Sequence, residues 1–139
     1  MIFNFVDIGT SDFRYTIPSN HERGIYVEPI DFYLDSIEDY PNTIKARVAI
    51  TDKDGTIPIY FVPPEKIKKY DLPFFIRGCN KIGEIHEAVE RECKKRDILV
   101  SSVIEAKEID CMTLETFINL YNISHICKLK IDAEGFDCK

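Results

Sequence analysis

The segment from Phe3 to Phe13 constrains the fold most, because it joins a short apolar run to a glycine. The run ends at Asp7 and breaks at Gly9. It is too short for a helix, and an apolar run closed by glycine is typical of a buried parallel strand that leads into a turn. Open α/β sheets bind ligands at such strand ends, so this turn is a candidate site. The alternative is an ordinary turn between a strand and a helix.

Size and charge limit the class of protein. The chain has 139 residues, which suits a single domain spanning residues 1–139. Its net charge of −6 gives no general attraction for nucleic acid or for an anionic membrane. The sequence lacks both an apolar stretch of membrane-spanning length and a signal-peptide pattern. The five cysteines form no Cys-x-x-Cys pair, which favours a reducing compartment. We expect a cytoplasmic protein, although a nuclear or virion location would leave no mark in the sequence.

The apolar pattern predicts an α/β fold with a doubly wound, mostly parallel sheet. Residues 24–29 form a second apolar run, which ends in an acid and a proline and predicts a second strand. Apolar residues at helical spacing in 30–40 predict a helix after it, so the first two strands are expected to pair in parallel. Residues 43–51 and 56–62 flank the turn sequence Asp-Lys-Asp-Gly, which predicts a β-hairpin. Residues 63–89 contain prolines and glycines that predict a long irregular loop.

The C-terminal third adds two helices, one or two strands within residues 98–106 and 107–112, and a last strand. The charges of residues 87–96 predict a short, solvated helix. Thr113 is the expected N-cap of a helix that ends near Tyr121. Residues 125–132 form the last expected strand.

Three of the expected parallel strands finish in acidic residues. Asp7 ends the first, Glu28 follows the second, and Asp132 with Glu134 follows the last. Because the ends of parallel strands lie along one side of a sheet, we expect these carboxylates to converge. An acid after the second strand is also placed to accept both hydroxyls of a ribose. Taken singly, each acid is equally consistent with a solvated strand end or a helix cap.

Five motifs lie in order along the chain. They are Val6-Asp-Ile-Gly-Thr-Ser-Asp-Phe13, Tyr26-Val-Glu-Pro29, Val48-Ala-Ile-Thr-Asp-Lys-Asp-Gly55, Met112-Thr-Leu-Glu-Thr-Phe117 and Leu129-Lys-Ile-Asp-Ala-Glu-Gly135. Together they resemble the motifs of a known family, the FkbM-type methyltransferases, which are class I enzymes dependent on S-adenosylmethionine. The resemblance spans nearly the whole chain.

The resemblance implies a Rossmann-like fold, with S-adenosylmethionine as cofactor, and a transferase that methylates an oxygen of a sugar or another small molecule. It also implies roles for individual residues. Asp7, Gly9, Thr10 and Ser11 would contact the methionine portion, Glu28 the ribose, and Ala49 and Ile50 the adenine, whereas Asp132 and Glu134 would lie at the reacting methyl group.

The sequence stops at Lys139, where the resemblance implies further strands after the fourth conserved one. We therefore expect a partial class I methyltransferase fold whose last strand leaves an open edge. An open edge is a template for strand pairing, which favours a homo-oligomer or a protein partner there. The alternatives are a catalytically inactive structural or interaction module, and a fragment of a longer enzyme. The histidines at 21, 86 and 125 lack the spacing of metal ligands, so no metal is expected.

Overall fold

The structure, a computed structural model, describes residues 1–10 and 14–132. The strands are β1 (Ile2–Ile8), β2 (Gly24–Val27), β3 (Thr43–Ala46), β4 (Ala49–Ile50), β5 (Gly55–Phe61), β6 (Lys81–Ile82), β7 (Glu105–Met112) and β8 (His125–Ile131). The helices are α1 (Asp31–Ser36), α2 (Pro64–Lys69), α3 (Glu87–Lys95) and α4 (Leu114–Leu120), and short 3₁₀ turns cover Phe74–Gly78 and Val100–Ser102. None of the helices in the described part of the chain has the length and apolar character needed to cross a bilayer.

The first sheet has the order β3-β2-β1-β8, and all of its strand pairs are parallel. Residue Ile8 lies beside Val27 on one side and beside Ile131 on the other. The strand β1 is therefore central, and the strands that precede the predicted acids are its direct neighbours. The parallel pairing of the first two strands, predicted from the sequence, is confirmed.

Helices cover both faces of this sheet. On one face, Phe5 and Tyr26 pack with Leu34 and with Ile37, which follows α1. A separate buried cluster contains Val6, Ile8 and Val27 of the sheet together with Phe117 of α4. Helices on both faces of a parallel sheet define a doubly wound architecture, so the predicted α/β fold class with a doubly wound, mostly parallel sheet is confirmed.

The chain divides into two compact units. Unit 1 consists of residues 1–56 and 109–139, and unit 2 consists of residues 57–108. A second sheet has the order β4-β7-β5-β6, in which β4 runs parallel to β7 and β5 runs antiparallel to β6. Unit 2 has a core of its own, formed by Val62, Leu72, Ile76, Cys79, Ala88, Val89, Cys93 and Val103. The prediction that the chain forms a single domain stays a prediction.

Two expectations about the middle of the chain are wrong. The hairpin between residues 43–51 and 56–62 does not form, because β3 pairs with β2 in the first sheet whereas β5 lies between β7 and β6 in the second. The charged helix α3 is not fully solvated, because Val89 and Cys93 on one side are completely buried in the core of unit 2. The irregular segment after residue 62 contains α2, a 3₁₀ turn and β6.

Three helices end in the same Schellman geometry, in which a left-handed residue follows the last turn. That residue is Asp71 after α2, Asp97 after α3 and Asn122 after α4, with φ angles of 49°, 53° and 51°. The next amide in each case donates to a carbonyl five residues earlier, as in Ile98 N to Cys93 O at 2.9 Å. Asp and Asn tolerate this conformation better than other non-glycine residues, which explains how these helices end without glycine.

Candidate functional site

The carboxyl ends of β2, β1 and β8 lie side by side at one edge of the first sheet. Hydrogen bonds extend the sheet one step beyond the strands: Gly9 N donates to Val27 O and Asp132 N donates to Ile8 O, both at 2.8 Å. The register therefore puts Gly9 between Glu28 and Asp132. Adjacent strands are about 4.8 Å apart, so these two acids flank Gly9 with backbones about 10 Å from each other. We call the residues Gly9, Thr10, Glu28 and Asp132 the rim.

Gly9 and Thr10 shape the centre of the rim. Gly9 adopts a φ of 73°, a left-handed conformation that glycine adopts without strain. Thr10 is almost completely buried, and its Oγ1 has no hydrogen-bond partner among the described residues. A buried hydroxyl without a partner is unfavourable, and such groups in native proteins require an explanation, for example a ligand.

Glu28 is a buried carboxylate that its own chain holds in place. Its side chain is 4% exposed, and Oε1 accepts a hydrogen bond from Ile30 N at 2.9 Å. Its backbone amide donates to Ala46 O at 3.1 Å, which continues the pairing of β2 with β3. The contact with Ile30 N therefore fixes the orientation of the Glu28 carboxylate at the end of β2.

Asp7 lies on β1 two residues before Gly9 of the rim and is completely buried. Its Oδ2 accepts hydrogen bonds from Thr16 N at 2.8 Å and from Thr16 Oγ1 at 3.0 Å. Its Oδ1 forms an ion pair with Lys130 Nζ at 3.1 Å, and the same ammonium group donates to Arg14 O. Asp7 therefore ties β8 and the segment after the glycine turn to β1.

Tyr26 also holds the segment that follows the glycine turn. It lies beside Asp7 in the sheet, and its hydroxyl donates to Thr16 O at 2.7 Å. The ring of Tyr15 stands edge-on to the ring of Tyr26, with centroids 5.9 Å apart. Burial raises the pKa of Tyr26 above its ordinary value, and the neighbouring Tyr40 and Asp7 add to the shift. Tyr26 therefore remains a neutral donor at physiological pH.

The remaining predicted residues fall into two groups. Ala49 and Ile50 form β4, where they pair with Cys111 and Met112 of β7, and Ile50 packs against the core of unit 1. Ser11 and Glu134 lie outside the described residues. The structure thus brings together Asp7, Gly9, Thr10, Glu28 and Asp132 at the end of the parallel sheet. The ligand roles assigned to them stay predictions.

Two residues of this region were not among the candidates, namely Thr16 and Lys130. The sequence contained a signal for Lys130, because a lysine inside an apolar strand needs a charged partner. Parallel pairing of β8 with β1 puts Lys130 beside Asp7. Thr16 had none, because it belongs to an irregular connection. The described residues 14–23 of that connection contain no helix.

Comparison with known proteins gives one match. A family model described as the methyltransferase FkbM domain matches residues 7–139, nearly the whole chain. The search of curated proteins found no match, and neither did the search of solved structures.

Proposed function

Since the chain belongs to the FkbM methyltransferase domain family, we propose that it binds S-adenosylmethionine at the rim and methylates an oxygen atom of a small-molecule acceptor. A methyltransferase family requires a methyl donor in general. The identity of that donor and of the acceptor is our proposal.

The observation that carries the proposal is the strand order β2-β1-β8. It puts Glu28 and Asp132 on either side of Gly9, at the carboxyl ends of parallel strands. Ligands of doubly wound sheets bind in this position. A separation of about 10 Å between the backbones of the two acids leaves space for a nucleoside and an acceptor to be held by different strands.

The residues at the rim fit the proposed donor. Gly9 carries no side chain where the donor would approach the backbone. Thr10 Oγ1, which has no hydrogen-bond partner within residues 1–10 and 14–132, would supply a buried hydroxyl for a polar group of the donor. Glu28 is held by Ile30 N in a fixed position and would accept the ribose hydroxyls. Asp7 and Ser11 would lie on the methionine side, and Ala49 and Ile50 on the adenine side.

Once bound, S-adenosylmethionine would supply an electrophilic methyl group on a sulfonium centre. The chain's own contribution would be to position the acceptor and to accept its proton. Asp132 at the end of β8 is our candidate for orienting the acceptor hydroxyl, and Glu134 two residues later is the second candidate. Hydrogen-bond reach of the acceptor hydroxyl is the geometric condition for a carboxylate to serve as its general base. Most of the rate enhancement would come from positioning.

Calorimetric titration with S-adenosylmethionine tests the donor. We expect saturable binding, and we expect Glu28→Gln to weaken it about tenfold or more, because the ribose would lose a charge-assisted hydrogen bond. The introduced side-chain amide keeps an oxygen for Ile30 N, so the fold should persist. Glu105→Gln, an exposed site on β7, is the control with the same change in charge. A folded protein that gives no heat at millimolar ligand would contradict the proposal.

Methyl transfer is tested separately with a labelled donor and a panel of hydroxylated small molecules. Asp132→Asn should leave the dissociation constant of the donor unchanged and lower the turnover rate by roughly 10²-fold or more, the usual effect of removing a general base. Equal turnover by wild type and Asp132→Asn would remove this residue from the proposed mechanism.

A second candidate function is an inactive module that assembles through β8. This strand pairs with β1 on one side, and the structure describes no strand on its other side within residues 1–10 and 14–132. Its Leu129 and Ile131 are 45% and 40% exposed, so an apolar, hydrogen-bonding edge is accessible. An oligomer by light scattering that Leu129→Lys dissociates, combined with no donor binding, would favour this candidate. A monomer that binds the donor would exclude it.

A further inference from the structure

Unit 2 contains a cleft that the proposed methyl transfer does not use. The cleft has a volume of about 320 Å³ and lies between α2 and the 3₁₀ turn Phe74–Gly78. Its apolar lining comes from Pro64, Ile67, Leu72 and Phe74, and its charged lining comes from Lys68, Asp71 and Arg77.

Two turns fix the walls of the cleft. In the Schellman geometry after α2, Leu72 N donates a hydrogen bond to Ile67 O at 2.9 Å. The Leu72 side chain is buried. Pro73 then starts the 3₁₀ turn, in which Ile76 N donates to Pro73 O at 3.1 Å and Ile76 is completely buried. The lining residues are therefore attached to short elements that the core of unit 2 anchors, which is a requirement for a preformed site.

Phe74 is an unusual component of this lining because it is 72% exposed. The guanidinium carbon of Arg77 lies 6.0 Å from the centre of its ring, within the range of a cation–π contact. An exposed aromatic ring beside a cation offers a flat apolar surface and a positive charge to the same ligand.

The charge around the cleft is opposite to that of the whole chain. Residues 64–77 carry four cations and two anions, whereas the chain has a net charge of −6. Lys68 and Arg77 line the cleft directly, and Asp71 is the single acid of its lining. This local excess of positive charge favours an anion in the cleft.

We propose that this cleft binds a small organic anion with a planar apolar body and one carboxylate or phosphate group. The volume lies at the lower end of the range for small-molecule sites and is too small for a helix or a long peptide. The planar body would stack on Phe74 and contact Leu72 and Ile67, and the anionic group would contact Lys68 and Arg77. Arg77 matches the two oxygens of either anion with its two parallel N–H donors.

Nuclear magnetic resonance titration of the full chain with three naphthalene probes tests the proposal. The probes are 1-naphthoate, 1-naphthyl phosphate and the neutral 1-naphthalenemethanol. We expect the amide signals of residues 64–77 to shift with at least one anion, with an affinity about tenfold above that of the alcohol. Comparison of the two anions identifies whether carboxylate or phosphate is preferred.

Matched variants separate charge from apolar contact. Arg77→Gln and Lys68→Gln should each weaken the preferred anion severalfold and leave the alcohol unchanged, whereas Phe74→Ser should weaken all three probes. Lys94→Gln, an exposed lysine on α3 away from the cleft, is the control with the same loss of charge. Equal affinity for the alcohol and the anions, shifts outside residues 64–77, or no shift at millimolar probe would each overturn the proposal. Donor binding at the rim is measured independently, so failure of one proposal leaves the other standing.

Discussion

At the scale of single residues, the ion pair of Asp7 with Lys130 joins positions 123 residues apart in the sequence. Asp7 is completely buried, so its charge must be compensated by Lys130 and by the two hydrogen bonds from Thr16. This contact fixes β8 against β1 two residues before the rim. The geometry of the candidate site therefore depends on a lysine that takes no part in the proposed chemistry.

Replacing this lysine tests how much the contact contributes. Lys130→Met should lower the free energy of unfolding by about 1–3 kcal/mol, because a buried carboxylate loses a charged partner. The value should lie below that for a fully buried pair, since the Lys130 side chain is 35% exposed. Urea denaturation measures the change, with the exposed Lys128→Met on the same strand as the control.

A double-mutant cycle distinguishes pairing from simple packing. Asp7→Asn combined with Lys130→Met should be less destabilising than the sum of the two single changes, because each single change leaves the other charge without compensation. Strict additivity would show that the two side chains contribute independently.

The same residues show what the sequence could and could not predict about the site. Asp7, Gly9, Glu28 and Asp132 were predicted because each ends or follows an apolar run, and a local pattern is sufficient to find such positions. The hydrogen bond of Asp7 with Thr16 and its ion pair with Lys130 were not predicted, because they depend on which distant segments of the chain come into contact. The sequence pattern identifies strand ends, but the partners of a buried carboxylate follow only from the tertiary fold.

At the scale of elements, strands with continuous apolar runs were predicted correctly, and the partners of short alternating strands were not. The alternation in residues 43–51 indicated one strand, but Val48 N bonds Ala46 O in a turn that separates β3 from β4. The two pieces then pair with different strands, β2 and β7. A turn sequence such as that of residues 52–55 makes a hairpin favourable locally, and non-local pairing overrides it here.

The left-handed residues after the helices offer a test at this scale. Asp97→Gly should raise the free energy of unfolding by about 0.5–1 kcal/mol, because glycine adopts a φ of 53° without the strain of a side chain. Thermal denaturation measures the gain. Asp97→Val should be destabilising, since a β-branched residue is strained in this conformation. Equal stability of the two variants would show that the backbone conformation of residue 97 does not limit the helix end.

Helix α3 also carries a pH-dependent ion pair. Hydrogen bonding from Arg96, with a further contribution from Lys95, holds the pKa of Glu92 below its ordinary value of 4.5. A carboxyl whose pKa is lowered by folding stabilises the fold fully above its unfolded value and loses that contribution as the pH falls through its folded value. Urea denaturation on either side of pH 4.5 should show a smaller acid-induced loss of stability for Glu92→Gln than for wild type. Glu90→Gln, an exposed site on the same helix, should retain the wild-type loss.

At the scale of the whole molecule, unit 2 is an insertion between two parts of unit 1, and each unit has a buried apolar cluster of its own. Val89 is completely buried in unit 2, whereas Phe117 is completely buried in unit 1. Separate cores allow separate local unfolding, which native-state hydrogen exchange detects. Val89→Ala should lower the opening free energy of amides in α3 by about 2 kcal/mol, the value for deleting two buried carbons.

The reciprocal variant completes this test. Phe117→Leu should lower the protection of β1 and β2 and leave that of α3 nearly unchanged, whereas Val89→Ala should show the opposite pattern. If both variants lower protection throughout the chain by equal amounts, the two units unfold as one cooperative body. In that case, ligand binding to the cleft of unit 2 would stabilise the rim as well, because any ligand that binds the folded state stabilises the whole cooperative unit. If each variant changes hydrogen-exchange protection in its own unit only, the units unfold separately. Each ligand would then stabilise only the unit that binds it.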